Sequence, residues 1–486
     1  GEAAGEPIVT HISVVVLTAE RAYKLKRAVA FPYLDFRTPQ ARLAMCAREV
    51  ALNRRVAPAL YLGARRITRA EDGGLVLDGD GELIDAVVEM RRFDEAALLD
   101  RLALGGRLTP AIVERLAERI AAFHDAAEID RTRGGGAVMA GVLDLGEASS
   151  LARSRVVSAT ERLGLAEALR AAALRGCALL DRRRDAGKVR RCHGDLTLRN
   201  ICLYDGEPTP FDCIEFSDDL AIIDILYDLA FLLMDLSRRE QWALAALALD
   251  RYLDHRDETD GLSLLPFFMA LRAAIRADVA AARAADADAD AAALDAETRD
   301  YFDLACCLLR PAPPRIVAIG GLSGTGKSSV ARALAPLIGA APGARVLNSD
   351  RLRKKLCGVP PTARLPAEAY SAEMSEKVYA ALREEAARVA RAGWSVIVDA
   401  VHARPGEREA IEGVAKSAGV PFSGLWLETD AALAEQRVAA RRNDVSDATT
   451  QVLEQQRRYE IGEMRWPRID ASREIDAITR DIAARV

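Results

Sequence analysis

The sequence contains no run of about 18 apolar residues, the length an α-helix needs to cross a bilayer, and charge breaks its longest apolar stretches, so a membrane span is not expected. Its start, GEAAGEPIVT, lacks the basic region and apolar core of a signal peptide, and the expectation is a cytoplasmic chain. The eight cysteines form no C-x-x-C pair and sit in apolar contexts, which argues for reduced core residues rather than a zinc site or a disulfide framework. Excess charge of one sign is also missing. A formal net charge of −5 excludes a surface that binds nucleic acid all over, while leaving room for a local basic groove.

What is present is a long chain of ordinary globular composition. Its 486 residues, 50% of them hydrophobic and 29% charged, exceed one core and call for two to four folding units. Pro311, Pro313 and Pro314 make the stiffest linker, and they divide the chain into 1–310 and 315–486 around a linker at 311–314.

The stretch RCHGDLTLRNICLYDGEPTPFDCIEF, residues 191–216, carries the densest chemistry. HGDLTLRN reads as a loop entering a strand at 201–204, and DGEP turns the chain into a second strand that ends at Asp212. Such a hairpin sets Asp212 beside Asn200, so that a carboxylate and an amide oxygen share Mg²⁺ while Asp195 stands clear to take a hydroxyl proton. The string His193-Gly194-Asp195-Leu196 with Asn200 resembles the catalytic loop of aminoglycoside phosphotransferase-like kinases, relatives of the protein kinases. His193 reads as a hydrogen-bonding support for that loop, since the mechanism asks only Asp195 to take the proton.

The resemblance implies a small lobe at 1–92 and a large helical lobe at 93–310. Two strand-like runs meet at Thr18-Ala19-Glu20, and in the second run Lys24 and Lys26 share one face by period-two alternation. Either lysine could reach the α- and β-phosphates of ATP, with Glu49 on the following helix as its partner. The turn carries no glycine, unlike the Gly-rich loop of protein kinases, which leaves Thr18 as a candidate phosphate holder. ELIDAVVEMRRF resembles the hinge between kinase lobes, which would turn the backbone of Glu89 and Met90 toward the adenine. In the large lobe, His124 reads as a buried, satisfied histidine, and Asp228 resembles the aspartate that pins the catalytic loop's backbone. Asp224 precedes it at the start of the same apolar helix. The Ala/Asp-rich run beginning AAIRADVAAARAADADAD is expected to form a solvated helix.

After the proline linker, RIVAIGGLSGTGKSSVARAL runs from a β-branched strand through a Gly-rich loop into a helix. Gly321, Ser323, Gly324, Thr325, Gly326, Lys327, Ser328 and Ser329 fall in the loop and first helical turn. Backbone amides there suit phosphates, Lys327 the β- and γ-phosphates, and the Ser328 hydroxyl Mg²⁺. Asp350 at the end of the next strand is placed to take a proton from an acceptor hydroxyl, with Arg353 one turn on as a substrate clamp. A third strand ends near Asp399 and His402, where Asp399 would hold metal-bound water or contact substrate. Arg437 and Arg441, four apart, with Arg442 adjacent, suit a helix that closes over the nucleotide. GLSGTGKS, SDRLRKKL, VIVDAVH and the R-x-x-x-R-x-x-D-x-SDA run together resemble P-loop kinases related to polynucleotide 5′-kinases, gluconate kinases and zeta-type toxins.

The expected fold is therefore multidomain, α+β and α/β: an N-terminal bilobal protein-kinase-like fold and a C-terminal P-loop NTPase with a parallel sheet at 315–486. The expected activity is a bifunctional, ATP- and Mg²⁺-dependent phosphotransferase acting on hydroxyl groups of small polar metabolites, a sugar or an amino alcohol. Two alternatives stand beside it. The P-loop half would act on an RNA or DNA 5′ end, which RLRKKL favours, or the N-terminal half would be a nucleotide-binding regulatory module without catalysis.

Overall fold

The computed structural model describes residues 6–10, 12–31, 34–142, 144–285, 290–440, 446–447 and 449–486. The chain divides into two compact units, Gly1–Arg239 with Leu271–Arg299, and Glu240–Ala270 with Asp300–Val486. Residues 240–270, which the sequence reading places in the large helical lobe, thus group with the P-loop sequence.

In the first unit, strands β1 (Ile8–Val9), β2 (Ser13–Leu17), β3 (Arg21–Lys26), β4 (Tyr61–Arg69), β5 (Leu75–Leu77) and β6 (Leu83–Arg91) form one antiparallel sheet in the order β1-β2-β3-β6-β4-β5. Helix α1 (Pro39–Asn53) begins where the Thr38 side chain accepts from the Ala41 N–H and Pro39 occupies the first turn, both favourable starts. Its inner face buries Cys46, Glu49, Val50 and Asn53. Cys46 and Val50 join Tyr61, Val88 and Met90 in an apolar cluster that also takes in Cys202 and Cys213, so the small sheet and the 201–213 segment share a core.

Helix α2 (Pro110–Ala126) starts at a Thr109 cap. Strand β7 (Val189–Arg191) leads to the HGD loop, and β8 (Ile201–Tyr204) and β9 (Glu207–Pro210) pair antiparallel with Ile201 opposite Pro210. This is the hairpin expected from DGEP, and it returns the chain to Asp212 beside its starting point. Strand β10 (Ile222–Asp224) pairs with β7 and runs into helix α3 (Ile225–Arg238), which is buried on nearly every side and capped by Asp224.

The Ala/Asp-rich run is helical on both sides of residues 286–289, which lie outside the described residues. Its first helix departs from the expected solvated face: Ala273, Ala274, Ala277, Ala280 and Ala281 are buried. Among the described residues, no helix is long and apolar enough to cross a membrane.

In the second unit, helix α4 (Trp242–His255) comes first in the chain. Strands β11 (Ile316–Gly320), β12 (Arg345–Asn348), β13 (Val396–Asp399), β14 (Phe422–Glu428) and β15 (Arg468–Asp470) form a parallel sheet in the order β12-β13-β11-β14-β15. The runs IVAIG and VIVD are buried throughout, as central parallel strands covered on both faces require. Ala246 of α4 enters the core cluster with Val317, Ile319, Leu334 and Val346. The buried Arg345 guanidinium bonds Asp250 and lies 2.6 Å from Asp254, and Asp250 also accepts from the Val346 N–H at 3.0 Å. Helix α4 therefore braces the edge strand β12 through paired charges as well as apolar packing.

Among the described residues the eight cysteines form no disulfide. Cys46, Cys192, Cys202 and Cys213 are the expected core residues, whereas Cys177, Cys306 and Cys357 are partly exposed and Cys307 is exposed.

Candidate active sites

The first candidate site lies at the meeting of β3, α1 and the β8–β9 hairpin. The Asn200 amide nitrogen donates to Asp195 Oδ2 at 2.8 Å and to the Asp195 carbonyl at 2.9 Å. Because the NH₂ is spent there, the amide oxygen is the end left for a cation. Arg199 also reaches Asp195 Oδ2 at 3.0 Å. The Phe211 N–H donates to the Asn200 carbonyl at 2.9 Å, which fixes Asp212 next to Asn200.

Asp212 takes the left-handed backbone conformation at φ 63°, uncommon for a side chain with a Cβ. Two residues grip it there: Tyr61 Oη accepts from the Asp212 N–H at 3.1 Å, and Asn53 Oδ1 accepts from the Cys213 N–H at 2.8 Å. Lys24 Nζ lies 2.5 Å from Asp212 Oδ1 and 2.9 Å from Glu49 Oε1. Burial opposes the Asp212 charge, yet Lys24, joined by Lys26 and His193, holds the carboxyl down at about 2. Of the two lysines, Lys24 is the one at the open face. Lys26 is buried between Glu49 and Glu215 and does not face a ligand, a correction to its expected phosphate role.

The loop's support is as expected. Asp228 accepts from the N–H groups of His193 and Gly194, at 3.1 and 2.8 Å, and bonds the buried His124 ring at 3.1 Å. Although burial opposes ionisation, the His124 bond and neighbouring positive groups bring the Asp228 carboxyl down to about 2. His193 Nε2 donates to the Phe211 carbonyl at 2.9 Å, tying loop to hairpin. Asp235 accepts from the Leu198 N–H at 2.9 Å and secures the loop's far end.

Two expectations for the small lobe fail on geometry. Glu89 and Met90 sit inside β6, paired with β3 on one side and β4 on the other, so their backbone faces strands rather than a ligand; the chain leaves the sheet only after Arg92. The Glu89 carboxylate meets Arg65 at 3.1 Å. Thr18 spends its hydroxyl within the turn, accepting from the Arg21 N–H at 3.2 Å.

The second candidate site is a cavity of about 680 Å³ lined by Ser323–Ser329, Asn348, Asp350, Arg353, Asp399 and Arg437 among others. Gly326, in the left-handed region at φ 85°, caps helix α5 (Lys327–Leu334). Gly324 shares that conformation, and a Cβ on it would lie 2.5 Å from the Ala434 carbonyl oxygen, so glycine is required there. Gln456 accepts from the Ser323 N–H at 2.8 Å and holds the loop from the opposite wall.

Asn348 and Asp399 are register partners on β12 and β13, and the Asn348 amide donates to Asp399 Oδ2 at 2.6 Å and lies 3.3 Å from Ser328 Oγ. Burial pushes the Asp399 carboxyl up against the pull of Lys327. Asp350 stands in the first turn of helix α6 (Ser349–Leu356), half-buried on the cavity wall. Arg353 lines the cavity but gives its guanidinium to the Ala369 carbonyl at 2.7 Å and stacks 4.9 Å over Tyr370, so the wall takes much of its bonding capacity. Arg437 bonds the Ala471 carbonyl at 3.0 Å beside Gly326. Arg441 and Arg442 lie outside the described residues.

Comparison with known proteins meets both halves of this picture. A family model described as the phosphotransferase enzyme family matches residues 14–262, slightly more than half of the chain. The chain belongs to this family. A second model, described as an AAA domain, matches residues 316–460 of the phosphotransferase. Uncharacterized protein Rv2004c of Mycobacterium tuberculosis is 31% identical over 462 residues, covering 91% of this chain and 87% of its own, and Uncharacterized protein Mb2027c of Mycobacterium bovis matches to the same extent. Among solved structures, a gluconokinase from Sinorhizobium meliloti aligns at 23% identity and a TM-score of 0.26, covering 36% of this chain and 92% of its own. A choline/ethanolamine kinase family protein from Mesorhizobium loti aligns at 13% and 0.37, covering 63% and 87%. Scores this low say nothing about what the phosphotransferase acts on.

Sequence reasoning missed Tyr61, Asn53 and Glu215 in the first site and Asn348 and Gln456 in the second. Asn348, directly before the Ser349-Asp350 helix start, had a visible cap signal; the others act across long sequence separations that no local pattern marks.

Proposed function

We propose that the phosphotransferase carries two separate Mg·ATP sites, each passing the γ-phosphoryl group to a hydroxyl of a small polar metabolite, with a sugar or an amino alcohol as the leading class. The observation that carries this reading is that each unit gathers its own carboxylate, lysine and hard oxygen donors: Asp195, Lys24, Asn200 and Asp212 in one, Asp350, Lys327, Ser328 and Asp399 in the other.

The donor sets fit a hard divalent cation. Asn200 has only its oxygen to offer, Asp212 stays ionised, and Ser328 and Asp399 converge through Asn348. Bound there, Mg²⁺ would offset the charge on the phosphate oxygens. In the first site, Asp195 Oδ2 is held by Asn200 and Arg199, which leaves Oδ1 to accept the acceptor's proton as its oxygen bonds the γ-phosphorus and the bond to the β–γ bridging oxygen breaks, releasing ADP. Asp350 would do the same in the second site, while the loop amides and Lys327 hold the phosphates.

The polynucleotide reading of the P-loop half loses its support in RLRKKL, whose cations have internal partners. Arg351 lies 3.6 Å from Asp254, Arg353 bonds the Ala369 carbonyl, Lys354 reaches Asp447 at 3.1 Å, and Lys355 bonds the Asp254 carbonyl at 3.3 Å. The test uses the full chain with γ-labelled ATP against panels of sugars, amino alcohols and 5′-hydroxyl oligonucleotides. Asp195→Asn and Asp350→Asn should each remove a different labelled product, by about 10²–10⁴-fold for a lost general base. One variant removing both products would overturn the two-site reading, and turnover indifferent to Asp195→Asn but lost in Lys327→Ala would leave the N-terminal site regulatory.

A further inference from the structure

The buried neighbours of Lys24 form a chain of alternating charge. Asp212 meets Lys24, Lys24 meets Glu49 Oε1, Glu49 Oε2 meets Lys26, and Lys26 meets Glu215. Exposure falls along it, from 41% at the Asp212 side chain and 15% at Lys24 to 0% at Glu49 and Lys26 and 4% at Glu215. Both ends, Asp212 and Glu215, belong to one four-residue segment, so two lysines of β3 and one glutamate of α1 clamp that segment at each end. Three carboxylates and two ammonium groups leave one negative charge among the five.

The outer half of this chain cannot stay as it is during binding. For Asp212 to meet a cation and Lys24 a phosphate, the 2.5 Å contact between them has to open. Glu49 would then share Lys24 with the phosphates, so its second oxygen needs a fixed holder of its own, because a buried carboxylate without a full partner is costly or moves. Lys26 is that second holder, and Glu215 keeps Lys26 in place.

We propose that Lys26 and Glu215 are positioning residues: their buried pair fixes Glu49 and the Asp212–Glu215 segment when Lys24 turns from Asp212 to the nucleotide's phosphates. This rests on the reading of Lys24 as the lysine that faces phosphate in the first site. Lys26 therefore acts on the nucleotide through Glu49 and never touches it.

The experiment uses the full chain carrying Lys327→Ala to silence the second site, with MgATP as the probe in titration calorimetry and thermal melting beside it. Lys26→Met strands the buried Glu215 carboxylate and should lower Tm, while Glu215→Gln leaves Lys26 paired with Glu49 and should lower it less. The double variant removes one charge of each sign and should recover Tm, yet MgATP affinity should stay down by about 10–100-fold, the usual loss when an outer support is removed. Recovery of both Tm and affinity in the double variant would overturn the proposal and reduce the pair to charge-balanced packing. Should the double variant fail to fold, Glu215→Asp keeps the charge and withdraws it by one methylene; a drop in affinity at near-parental Tm supports the proposal, and unchanged affinity overturns it. Lys24→Met separates the two levels of inference: unchanged MgATP affinity there would remove the reading of Lys24 and the proposal with it.

Discussion

On the proposed reading, the two candidate sites would hold phosphate by opposite means. In the first, side chains do the holding: Lys24, Glu49 and Asp212 form ion pairs, and the turn at Thr18–Glu20 contains no glycine. In the second, backbone does it, through left-handed Gly324 and Gly326 ahead of a helix N-terminus. A site made of paired charges tolerates change in its turn but not in its charges, while a site made of amides tolerates little that adds a Cβ. Each also keeps a non-glycine residue in the left-handed region after a strand or hairpin, Asp212 at φ 63° and His402 at φ 50°. The Asp212 side chain is partly exposed, whereas His402 is buried.

The comparison can be tested at four points. Asp228→Ala should cost most, because it leaves two buried loop amides without an acceptor at about 1–3 kcal/mol each, measured by urea unfolding. The aspartate's folded value of about 2 lies below its ordinary 3.8, so its contribution is complete above pH 4 and is lost as the pH falls toward 2. Asp228→Asn should remove that acid dependence. Gly324→Ala should disable nucleotide binding in the second site through about 1–3 kcal/mol of local strain, read by MgATP titration, while Ala19→Ser in the first site's turn should change stability by less than about 0.5 kcal/mol.

His402→Phe addresses the buried strand end. Among the described residues neither ring nitrogen of His402 has a hydrogen-bond partner, and burial, with Lys327 and Arg408 nearby, lowers the imidazole to about 3 from 6.5. The unfolded chain takes up that proton first, so the wild type should lose stability relative to His402→Phe as the pH falls from 6.5 toward 3. The difference reaches about 2 kcal/mol by pH 5, from roughly 1.4 kcal/mol per pH unit, and acid unfolding curves would show it. Tyr61→Phe should cost less than the substitutions at Asp228 and His402, about 1 kcal/mol, from loss of the hydroxyl that accepts from the Asp212 N–H.

What the sequence revealed was local. The HGD loop, the β8–β9 hairpin and the strand-loop-helix at Lys327 are each set by residues within about a dozen positions, and their spacing alone places them. Period-two alternation put Lys24 and Lys26 on one face correctly. It could not say which end of that face is closed, because closure comes from Glu215, nearly two hundred residues away. The misplacement of Glu89 and Met90 has a similar cause, since the pattern marks a strand but not how far its neighbours extend. The grouping of residues 240–270 with the P-loop unit was invisible for the same reason: the partners of Asp250 and Asp254 lie about a hundred residues downstream.

That last grouping bears on how such a protein can be taken apart. The backbone passes from one unit to the other at 239–240, 270–271 and 299–300, well before the prolines at 311–314. Severing the chain at those prolines would leave Arg345 in the downstream fragment as an orphan cation in a sheet edge stripped of its supporting helix. Gene fission or domain swapping at the linker should therefore yield a crippled P-loop fragment, and a viable split would have to carry residues 240–270 along with it.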